Sequence, residues 1–500
     1  MWKNLLILLL ASALTGLLLL RHHAAPQPSP APIAQVPPTI PAPVPPTPPA
    51  IVAPAPPQAP TPTPSPSPPP APPPAPPPNP ITTLLHEARS NPALAGTAIG
   101  FSLLDAKGEV VLDENATTAF IPASSFKTLT TATALEILGP DFLFSTELRS
   151  TAPIQSGILR GDLLILGGGD PMLKLDDLKA WAAELKKRGL IRVTGGIRTD
   201  SSLFTGSLYG DFWNWGDIGN GYGSGVAGLN LNHNRYILLF RAGPMEGTPA
   251  ELLGINLEIP GAIWKNEVTT GPADSGDNVV IHGGEHTHAI HLRGTIPLGA
   301  EKFQVKGAVP DPARFTAHHF RAALIAAGIH VGEKAGAALA THSLLKHHSP
   351  PLLAIVKSIH ATSDNHETEC LFRMLGVKAA KPPVDVVREH WHTRGLDFIG
   401  LRMEDGSGLS RADFIRPLDL ARLQHYAATG PQGPAYKASL LSKDGLFWKG
   451  GAMSGIRSYT GCVKARSGAE FSYALMINHF TDPTPVSTLS HSIMDAMQDL

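Results

Sequence analysis

Residues 361–376 read Ala-Thr-Ser363-Asp364-Asn365-His-Glu-Thr-Glu-Cys-Leu-Phe-Arg-Met-Leu-Gly, a serine and an amide that open a predicted helix. Upstream, Ser124 and Lys127 stand three residues apart in the segment Pro-Ala-Ser-Ser-Phe-Lys. Residues three apart lie on the same face of a helix, so the lysine amine can take the proton of the serine hydroxyl. Together the two motifs indicate acyl transfer through a serine ester, with lysine rather than histidine as the nearby base.

A helix from about Pro122 to Gly139-Pro140 is predicted to carry this serine, because proline is favoured in a first turn and Gly-Pro ends a helix. The start of a helix presents free backbone N–H groups and the positive end of the helix dipole. Both features stabilise a serine that must become an alkoxide. The sequence therefore predicts Ser124 at a position that favours its ionisation.

The third component expected in such a site is a basic residue on a strand edge, followed by glycine so that a substrate backbone can lie alongside. Two segments qualify, Lys449-Gly450-Gly451-Ala452 and Lys464-Ala-Arg-Ser-Gly468. The first segment precedes a predicted strand–turn–strand, whereas the second lies in the turn itself. Since Lys464 would leave no strand beside the site, we favour Lys449.

The first eighty residues lack the composition of a folded domain. Residues 1–23 combine a basic start, a leucine-rich run and Arg-His-His, a pattern typical of an export signal. The run is compatible with a cleaved signal peptide or an uncleaved signal-anchor. Residues 24–80 contain no charged side chain and 29 prolines, which predicts a disordered proline-rich tether. We expect an exported protein, periplasmic or otherwise extracytoplasmic.

Charge is close to balance, with 40 Lys and Arg against 41 Asp and Glu. This balance gives no indication of nucleic acid or anionic lipid as a partner, so a membrane would be contacted only through an N-terminal anchor. The two cysteines, Cys370 and Cys462, are compatible with one disulfide or with two buried thiols. The fold is not expected to depend on a disulfide framework.

The globular part of the chain begins at residue 81. Strands are predicted at 97–103, 109–112 and 471–478, and helices at 417–429 and from 486 to about 498. First and last elements of this kind flank one antiparallel sheet with helices on its faces. The pattern favours an α+β fold.

A long insertion is predicted between the first two motifs. The 235 residues between Lys127 and Ser363 are far more than an acyl-transferase core needs to connect them. We therefore predict a catalytic domain made of residues 81–145 and 346–500. Residues 146–345 would form a large inserted accessory domain, with its own strands and helices.

Four segments carry a family resemblance: Gly161-Asp-Leu-Leu-Ile-Leu-Gly-Gly-Gly-Asp170-Pro171, Leu229-Asn-Leu-Asn-His-Asn-Arg235, Ser363-Asp-Asn365 and Asp405-Gly-Ser-Gly-Leu-Ser-Arg411. From about residue 82 to 499 the chain resembles the DacB-type D-alanyl-D-alanine carboxypeptidases, the class C low-molecular-mass penicillin-binding proteins. The resemblance implies the transpeptidase fold shared by penicillin-binding proteins and serine β-lactamases, with an inserted region and no cofactor. It also implies a carboxypeptidase or endopeptidase that acts on peptidoglycan stem peptides and is inhibited by β-lactams.

The same resemblance assigns the catalytic roles. It implies that Ser124 is the acylated nucleophile and that Lys127 is the base that takes its proton. Ser363 would relay a proton to the leaving amine. No residue is implied as a metal ligand.

The resemblance also assigns substrate-binding roles and shows one departure. Asn365 would orient the peptide, Lys449 would hold its C-terminal carboxylate, and the N–H group of Ala452 would complete an oxyanion hole with that of the nucleophile. The family usually has Lys-Thr-Gly or Lys-Ser-Gly where this chain has Lys449-Gly450-Gly451. The missing hydroxyl removes one hydrogen bond to the carboxylate, worth about 1.5–3 kcal/mol when the acceptor is charged.

Two alternative functions are compatible with parts of this pattern. A β-lactamase-like hydrolase would use the same serine, but no Glu-x-x-Leu-Asn lies between Asn365 and Lys449 to activate a deacylating water. A catalytically weakened wall-binding or scaffolding protein would be explained by Gly450. Intact Ser124 and Lys127 favour the peptidase.

Other residues that suggest chemistry are expected to be structural. His282, His286, His288 and His291 match no standard zinc spacing, although His286 and His288 would share one face of a strand. Asp405-Gly-Ser-Gly408 is expected to be a tight turn rather than a second nucleophile. Trp213 and Trp215 are expected to pack in the core rather than stack on sugar rings.

Overall fold

The computed structural model describes residues 79–500, so the predicted export signal and nearly all of the proline-rich tether lie outside the described residues. In the described part, no helix combines the length and the apolar character needed to cross a membrane. The α-helices are α1 (Pro80–Ser90), α2 (Lys127–Ile137), α3 (Leu175–Lys187), α4 (Pro312–Ala326), α5 (Leu352–Thr362), α6 (Asn365–Ala379), α7 (Pro383–His392), α8 (Pro417–Thr429), α9 (Gly433–Lys437) and α10 (Pro483–Gln498).

The strands are distributed over the whole of this region. They are β1 (Ala98–Leu104), β2 (Val110–Glu114), β3 (Ser145–Ser150), β4 (Ile154–Gln155), β5 (Ile158–Leu159), β6 (Leu163–Leu166), β7 (Arg192–Val193), β8 (Ile197–Asp200), β9 (Arg235–Arg241), β10 (Glu251–Ile255), β11 (Ile263–Gly271), β12 (Val280–His282), β13 (Ala289–Pro297), β14 (Phe303–Ala308), β15 (His330–Val331), β16 (His342–His348), β17 (Leu441–Lys443), β18 (Leu446–Met453), β19 (Ile456–Lys464) and β20 (Glu470–Asn478).

Strands from both ends of this region form one antiparallel sheet, in the order β17-β18-β19-β20-β1-β2. On one face, Leu85 of α1 and Val486 of α10 belong to the same buried cluster as Leu475. On the other face, Leu129 of α2 packs in the cluster that contains Met476. Adjacent residues of β20 thus face opposite layers, as the period of a strand requires. The predicted α+β fold, with helices on both faces of an antiparallel sheet, is confirmed.

The strands from β3 to β16 build four smaller sheets. Their orders are β16-β3-β6-β8, β15-β7-β5-β4, β10-β9-β14 and β11-β13-β12. The first and last strands of the segment pair with each other, so that Ser145 lies opposite His348. The segment therefore leaves and rejoins the rest of the chain at one place. It has a buried cluster of its own, which includes Leu163, Leu238 and Phe320.

Element boundaries agree closely with the sequence predictions at the end of the chain. Helix α8 begins at Pro417 and is followed by Gly430, as predicted. Helix α10 begins three residues before the predicted start at 486, because the Asp482 side chain accepts a hydrogen bond from the Thr484 N–H group at 2.8 Å and caps the helix there.

Candidate active site

Ser124 lies one turn before α2, in a short 3₁₀ helix that spans Ala123–Phe126. The α-helix therefore begins later than the predicted start at Pro122, because Ala123 has a φ of 48°, in the left-handed region that an α-helix cannot contain. Such a conformation costs a non-glycine residue about 1–3 kcal/mol and persists only where surrounding contacts enforce it. One such contact comes from β19, where Ser458 Oγ donates to the Pro122 carbonyl oxygen.

Lys127 is fully buried and its amine lies beside the serine. Its Nζ atom donates to Ser124 Oγ at 3.0 Å, to Asn365 Oδ1 at 2.5 Å and to the Ser407 carbonyl oxygen at 2.7 Å. Burial lowers the pKa of Lys127 from 10.5 to about 8, although the nearby carboxylate of Asp405 opposes this shift. The amine is therefore positioned and tuned to exchange a proton near neutral pH.

The segment Ser363-Asp364-Asn365 forms the sharp connection between α5 and α6. Ser363 has a φ of 60° and ends α5, and the Asp364 carboxylate caps α6 by accepting from the Glu367 N–H group at 3.0 Å. Asn365 is the first residue of α6, as the sequence predicted. The cap directs the side chains of Ser363 and Asn365 toward the two lysines of the site.

Of the two lysines considered for the third motif, Lys449 is the one that contacts the site. It lies on β18, it is 3% exposed, and its Nζ donates to Ser363 Oγ at 2.9 Å and to the Gly450 carbonyl oxygen at 2.7 Å. Burial, with a smaller contribution from the charge of Lys127, lowers the pKa of Lys449 from 10.5 to about 7. Lys464 is exposed at the end of β19.

Gly451 brings the edge of β18 against Ser124. A Cβ atom placed on Gly451 would lie 2.5 Å from Ser458 Oγ and 2.7 Å from the backbone nitrogen of Ser124. Only glycine allows this approach. Ala452 follows on the same strand and is exposed, so its backbone lies at the open side of the site.

Sequence reasoning missed two contributions from the segment between β3 and β16. Arg235 forms a double hydrogen bond with the Asp364 carboxylate, at 2.6 and 3.2 Å. The carbonyl oxygen of Tyr222 accepts a hydrogen bond from Asn365 Nδ2 at 2.8 Å. In the sequence, Arg235 stands out only as the last residue of the segment Leu229–Arg235. The position of a backbone carbonyl group cannot be predicted from residue types.

The segment that begins at Asp405 forms a tight turn, as expected, and its hydrogen bonds hold neighbouring groups in place. The Asp405 carboxylate accepts from the N–H groups of Ser407 and Gly408 and, at 2.8 Å, from the indole N–H of Trp213. These bonds orient the Ser407 carbonyl oxygen, which accepts a hydrogen bond from Lys127 Nζ. Trp213 is buried, as expected.

One group of side chains in residues 79–500 brings three potential metal ligands within 4.8 Å of one another, namely His233, Asp364 and Glu367. Arg235 already neutralises Asp364, and His233 Nε2 lies 2.9 Å from Glu367 Oε1. We interpret this group as a hydrogen-bonded contact between two segments. The expected strand face for His286 and His288 is wrong, because both residues lie in the connection between β12 and β13. Both cysteines are buried free thiols.

Comparisons with known proteins show the family to which the chain belongs. A family model described as "D-Ala-D-Ala carboxypeptidase 3 (S13) family" matches residues 82–499. The D-alanyl-D-alanine carboxypeptidase of Actinomadura sp. (strain R39) is 28% identical over 439 residues, which are 79% of this chain and 80% of that protein. The D-alanyl-D-alanine carboxypeptidase DacB of Haemophilus influenzae is 27% identical over 67% of this chain and 71% of its own length.

A solved structure shows the same fold. The crystal structure of penicillin binding protein 4 (dacB) from Haemophilus influenzae has a TM-score of 0.73 and 22% identity, and the match covers 84% of this chain and 99% of that one. The family model spans more than four fifths of the residues from 1 to 500, including all three motifs of the site. This chain therefore belongs to the D-Ala-D-Ala carboxypeptidase 3 (S13) family, as its motifs predicted.

Proposed function

We propose that this protein is a serine-type D-Ala-D-Ala carboxypeptidase that removes the terminal D-alanine from peptidoglycan stem peptides through an acyl-enzyme on Ser124. The observation that carries this proposal is the buried Lys127 amine, 3.0 Å from Ser124 Oγ and with a pKa lowered to about 8. A lysine with a lowered pKa can deprotonate a serine hydroxyl without help from a histidine. Membership of the family supports the substrate class.

Each proton in the proposed reaction has a donor and an acceptor. Ser124 Oγ attacks the carbonyl carbon of the penultimate D-alanine while Lys127 takes the hydroxyl proton. The N–H groups of Ser124 and Ala452 stabilise the negative oxygen of the tetrahedral intermediate. The C–N bond then breaks, and the proton held by Lys127 passes through the Ser363 hydroxyl to the leaving amine. In the second step Lys127 takes a proton from the attacking water, the resulting hydroxide attacks the ester carbonyl, and Lys127 returns the proton to Ser124 Oγ as the C–O bond to the enzyme breaks.

Lys449 and Asn365 are proposed to bind the substrate. The Lys449 ammonium group would attract the terminal carboxylate, since a charge-assisted hydrogen bond of this kind is stronger than a neutral one. Lys449 Nζ donates a hydrogen bond to Ser363 Oγ at 2.9 Å, and this contact would hold the ammonium group beside the leaving group. Asn365 is anchored at both ends of its amide, by Lys127 and by the Tyr222 carbonyl oxygen, so its plane is defined before a peptide arrives.

Two further assignments accompany the activity. A structure of the Haemophilus influenzae relative is complexed with a novel beta-lactam, and we infer that β-lactams acylate this chain as well. A peptidase of the bacterial wall acts outside the cytoplasm, and we infer export through residues 1–23. The same site would also serve an endopeptidase, for which the leaving amine belongs to a second stem peptide.

We also infer a division into two domains. Residues 81–145 and 346–500 would form the catalytic domain, and residues 146–345 would form the inserted domain. The antiparallel pairing of β3 with β16, at the two ends of the inserted segment, supports these limits. The contact of Arg235 with Asp364 indicates that the inserted domain braces the catalytic helix.

A fluorescent penicillin and a D-alanine release assay test the proposed function. The purified protein is expected to become labelled in a one-to-one ratio and to release D-alanine from a peptide that ends in D-Ala-D-Ala. A folded protein that neither accepts the label nor releases D-alanine would contradict the proposal.

The pH dependence of the reaction is expected to report both lysines. Lys127 must lose its proton to act as a base, and Lys449 must keep its proton to bind the carboxylate. Burial lowers the pKa of Lys127 to about 8 and the pKa of Lys449 to about 7. Since the base has the higher pKa, the active form is the minor one of the two singly protonated forms, and kcat/KM should follow a bell that rises through about pH 7 and falls through about pH 8.

Lys449→Arg separates the two limbs of that profile, because a guanidinium group stays charged throughout the assay range. We expect the alkaline limb to disappear and the acid limb to remain. The measurement is kcat/KM for a D-Ala-D-Ala peptide between about pH 5 and pH 10. An alkaline limb that is unchanged in Lys449→Arg would show that Lys449 does not produce it.

Gly450→Thr is expected to raise kcat/KM for peptides with a free carboxylate, by about tenfold for each 1.4 kcal/mol of restored hydrogen bonding. The position has room, because a Cβ atom there meets the Tyr459 ring no closer than 3.5 Å. Gly450→Val is the matched control, since it adds the same volume without a hydroxyl. An equal gain in both variants, or for a C-terminal amide, would exclude carboxylate binding by the hydroxyl.

A further inference from the structure

The exposed aromatic side chains of the described residues are concentrated in one loop. Phe212, Trp215 and Tyr222 are 47%, 65% and 51% exposed, and no other Phe, Trp or Tyr between residues 79 and 500 is comparably exposed. Trp215 was expected in the core, and this expectation is wrong. Large aromatic side chains are normally buried, so a cluster of exposed ones indicates a surface that contacts a ligand.

Trp215 differs from its two neighbours in having a broad free surface. The guanidinium group of Arg402 lies over the Phe212 ring at 4.9 Å, and the Tyr222 hydroxyl donates to Asp217 at 2.9 Å. The Trp215 indole stacks on the His282 imidazole, with 6.4 Å between ring centroids and 21° between planes. The stack fixes the orientation of the indole while most of its surface stays in contact with solvent.

A groove of about 540 Å³ runs beside Trp215 and His282. Gly283 and Gly284 line the groove, and the space beside each is open, since a Cβ atom on either glycine would have nothing within 4 Å. His291 and Arg293 line the groove, and both are oriented by Glu267, at 2.7 and 3.1 Å. A flat aromatic surface next to imidazole and guanidinium groups matches a sugar. The C–H face of a pyranose packs on indole, and its hydroxyl and acetamido groups accept hydrogen bonds.

The groove is connected to the active site through a short stretch of backbone. Tyr222 follows Trp215 by seven residues, and its carbonyl oxygen accepts the hydrogen bond from Asn365. In peptidoglycan the stem peptide is attached to a glycan strand of N-acetylated hexosamines. A peptide of four residues spans up to about 14 Å. The length of the stem peptide thus limits how far from Ser124 a bound glycan strand can lie.

We propose that Trp215 and the groove beside it bind the N-acetylated hexosamine units of the glycan strand. The identity of this polymer rests on the proposed function, whereas the sugar-binding chemistry rests on the loop itself. The site would give the enzyme a preference for stem peptides that are still attached to glycan. Soluble peptides without sugar would not use it.

Binding of chitotetraose, a tetramer of N-acetylglucosamine, to the full chain tests the proposal. We expect the wild-type protein to bind it in calorimetric titration. Trp215→Ala should weaken binding by up to about tenfold, the contribution expected from aromatic stacking. Phe212→Ala is the matched control from the same loop and should bind like the wild type, because Arg402 covers that ring.

A kinetic comparison gives a second measurement. Trp215→Ala should lower kcat/KM for a disaccharide-linked stem peptide and leave kcat/KM for the same peptide without sugar unchanged. An equal loss on both substrates would overturn the proposal, because the loop would then act only on the peptidase site. So would a wild-type protein that does not bind chitotetraose, or a Trp215→Ala variant that binds it equally well.

Penicillin labelling of the same preparations separates this proposal from the proposed function. Sugar binding that depends on Trp215 in a protein that penicillin does not label would support the groove and contradict the peptidase. Normal labelling without sugar binding would overturn the groove alone.

Discussion

Ser124→Ala is expected to abolish penicillin labelling and D-alanine release, with a loss on the order of 10⁶-fold in kcat, as when the nucleophile of a serine hydrolase is removed. The physical reason is that, among the hydroxyl groups of residues 79–500, the one hydrogen-bonded to the Lys127 amine belongs to Ser124. Intact-mass spectrometry after β-lactam treatment should show one adduct on the wild-type protein, in the peptide that contains Ser124. The variant should show none.

Two neighbouring serines supply matched controls. Ser125 lies in the same turn, but its Oγ donates to the Pro122 carbonyl oxygen at 2.8 Å and points away from the lysine amine. Ser407 contacts the lysine only through its backbone carbonyl, which an alanine also provides. Ser125→Ala and Ser407→Ala should both accept the label. An adduct that persists in Ser124→Ala would assign the nucleophile to another residue.

Lys127→Ala is expected to reduce the acylation rate by about 10²–10⁴-fold, the usual contribution of a positioned general base. Because the side chain is fully buried, alanine would also leave a cavity and lower the free energy of unfolding. Lys127→Met removes the amine and keeps most of the volume. It is therefore the variant that tests chemistry rather than packing.

The acylation rate is measured by rapid mixing with a chromogenic β-lactam, and thermal unfolding is measured on the same samples. We expect both Lys127 variants to acylate slowly and the methionine variant to unfold close to the wild-type temperature. Near-normal acylation of a folded Lys127→Met protein would show that the base lies elsewhere. Slow acylation with normal stability would assign the loss to the amine.

Local patterns predicted the elements that carry the motifs. The limits of α8 follow from Pro417 and Gly430, two residues with strong backbone preferences at helix ends. The conformation around Ser124 was less predictable, because the positive φ of Ala123 is imposed by contacts with other segments. Trp215 was misjudged because apolar character alone does not distinguish a core position from a surface that binds a ligand.

The segment between β3 and β16 likewise has some features that the sequence predicted and others that it did not. The spacing of the motifs predicted an inserted segment with strands of its own, and strands β3 to β16 do lie between the first two motifs. Its contacts with the active site were not predicted, because Arg235 and Asp364 are 129 residues apart. Nothing in the local sequence of either residue identifies the other as its partner.

The sequence by itself predicted that Ser124 and Lys127 lie together, because they are three residues apart and their proximity follows from a single helical turn. Only the tertiary structure decided how that base works. The pKa of Lys127 falls to about 8 because distant segments bury it. Two of the atoms that accept its hydrogen bonds belong to residues 238 and 280 positions away along the chain. Desolvation arises when separate segments pack around a side chain, so it cannot be predicted from the sequence of one segment.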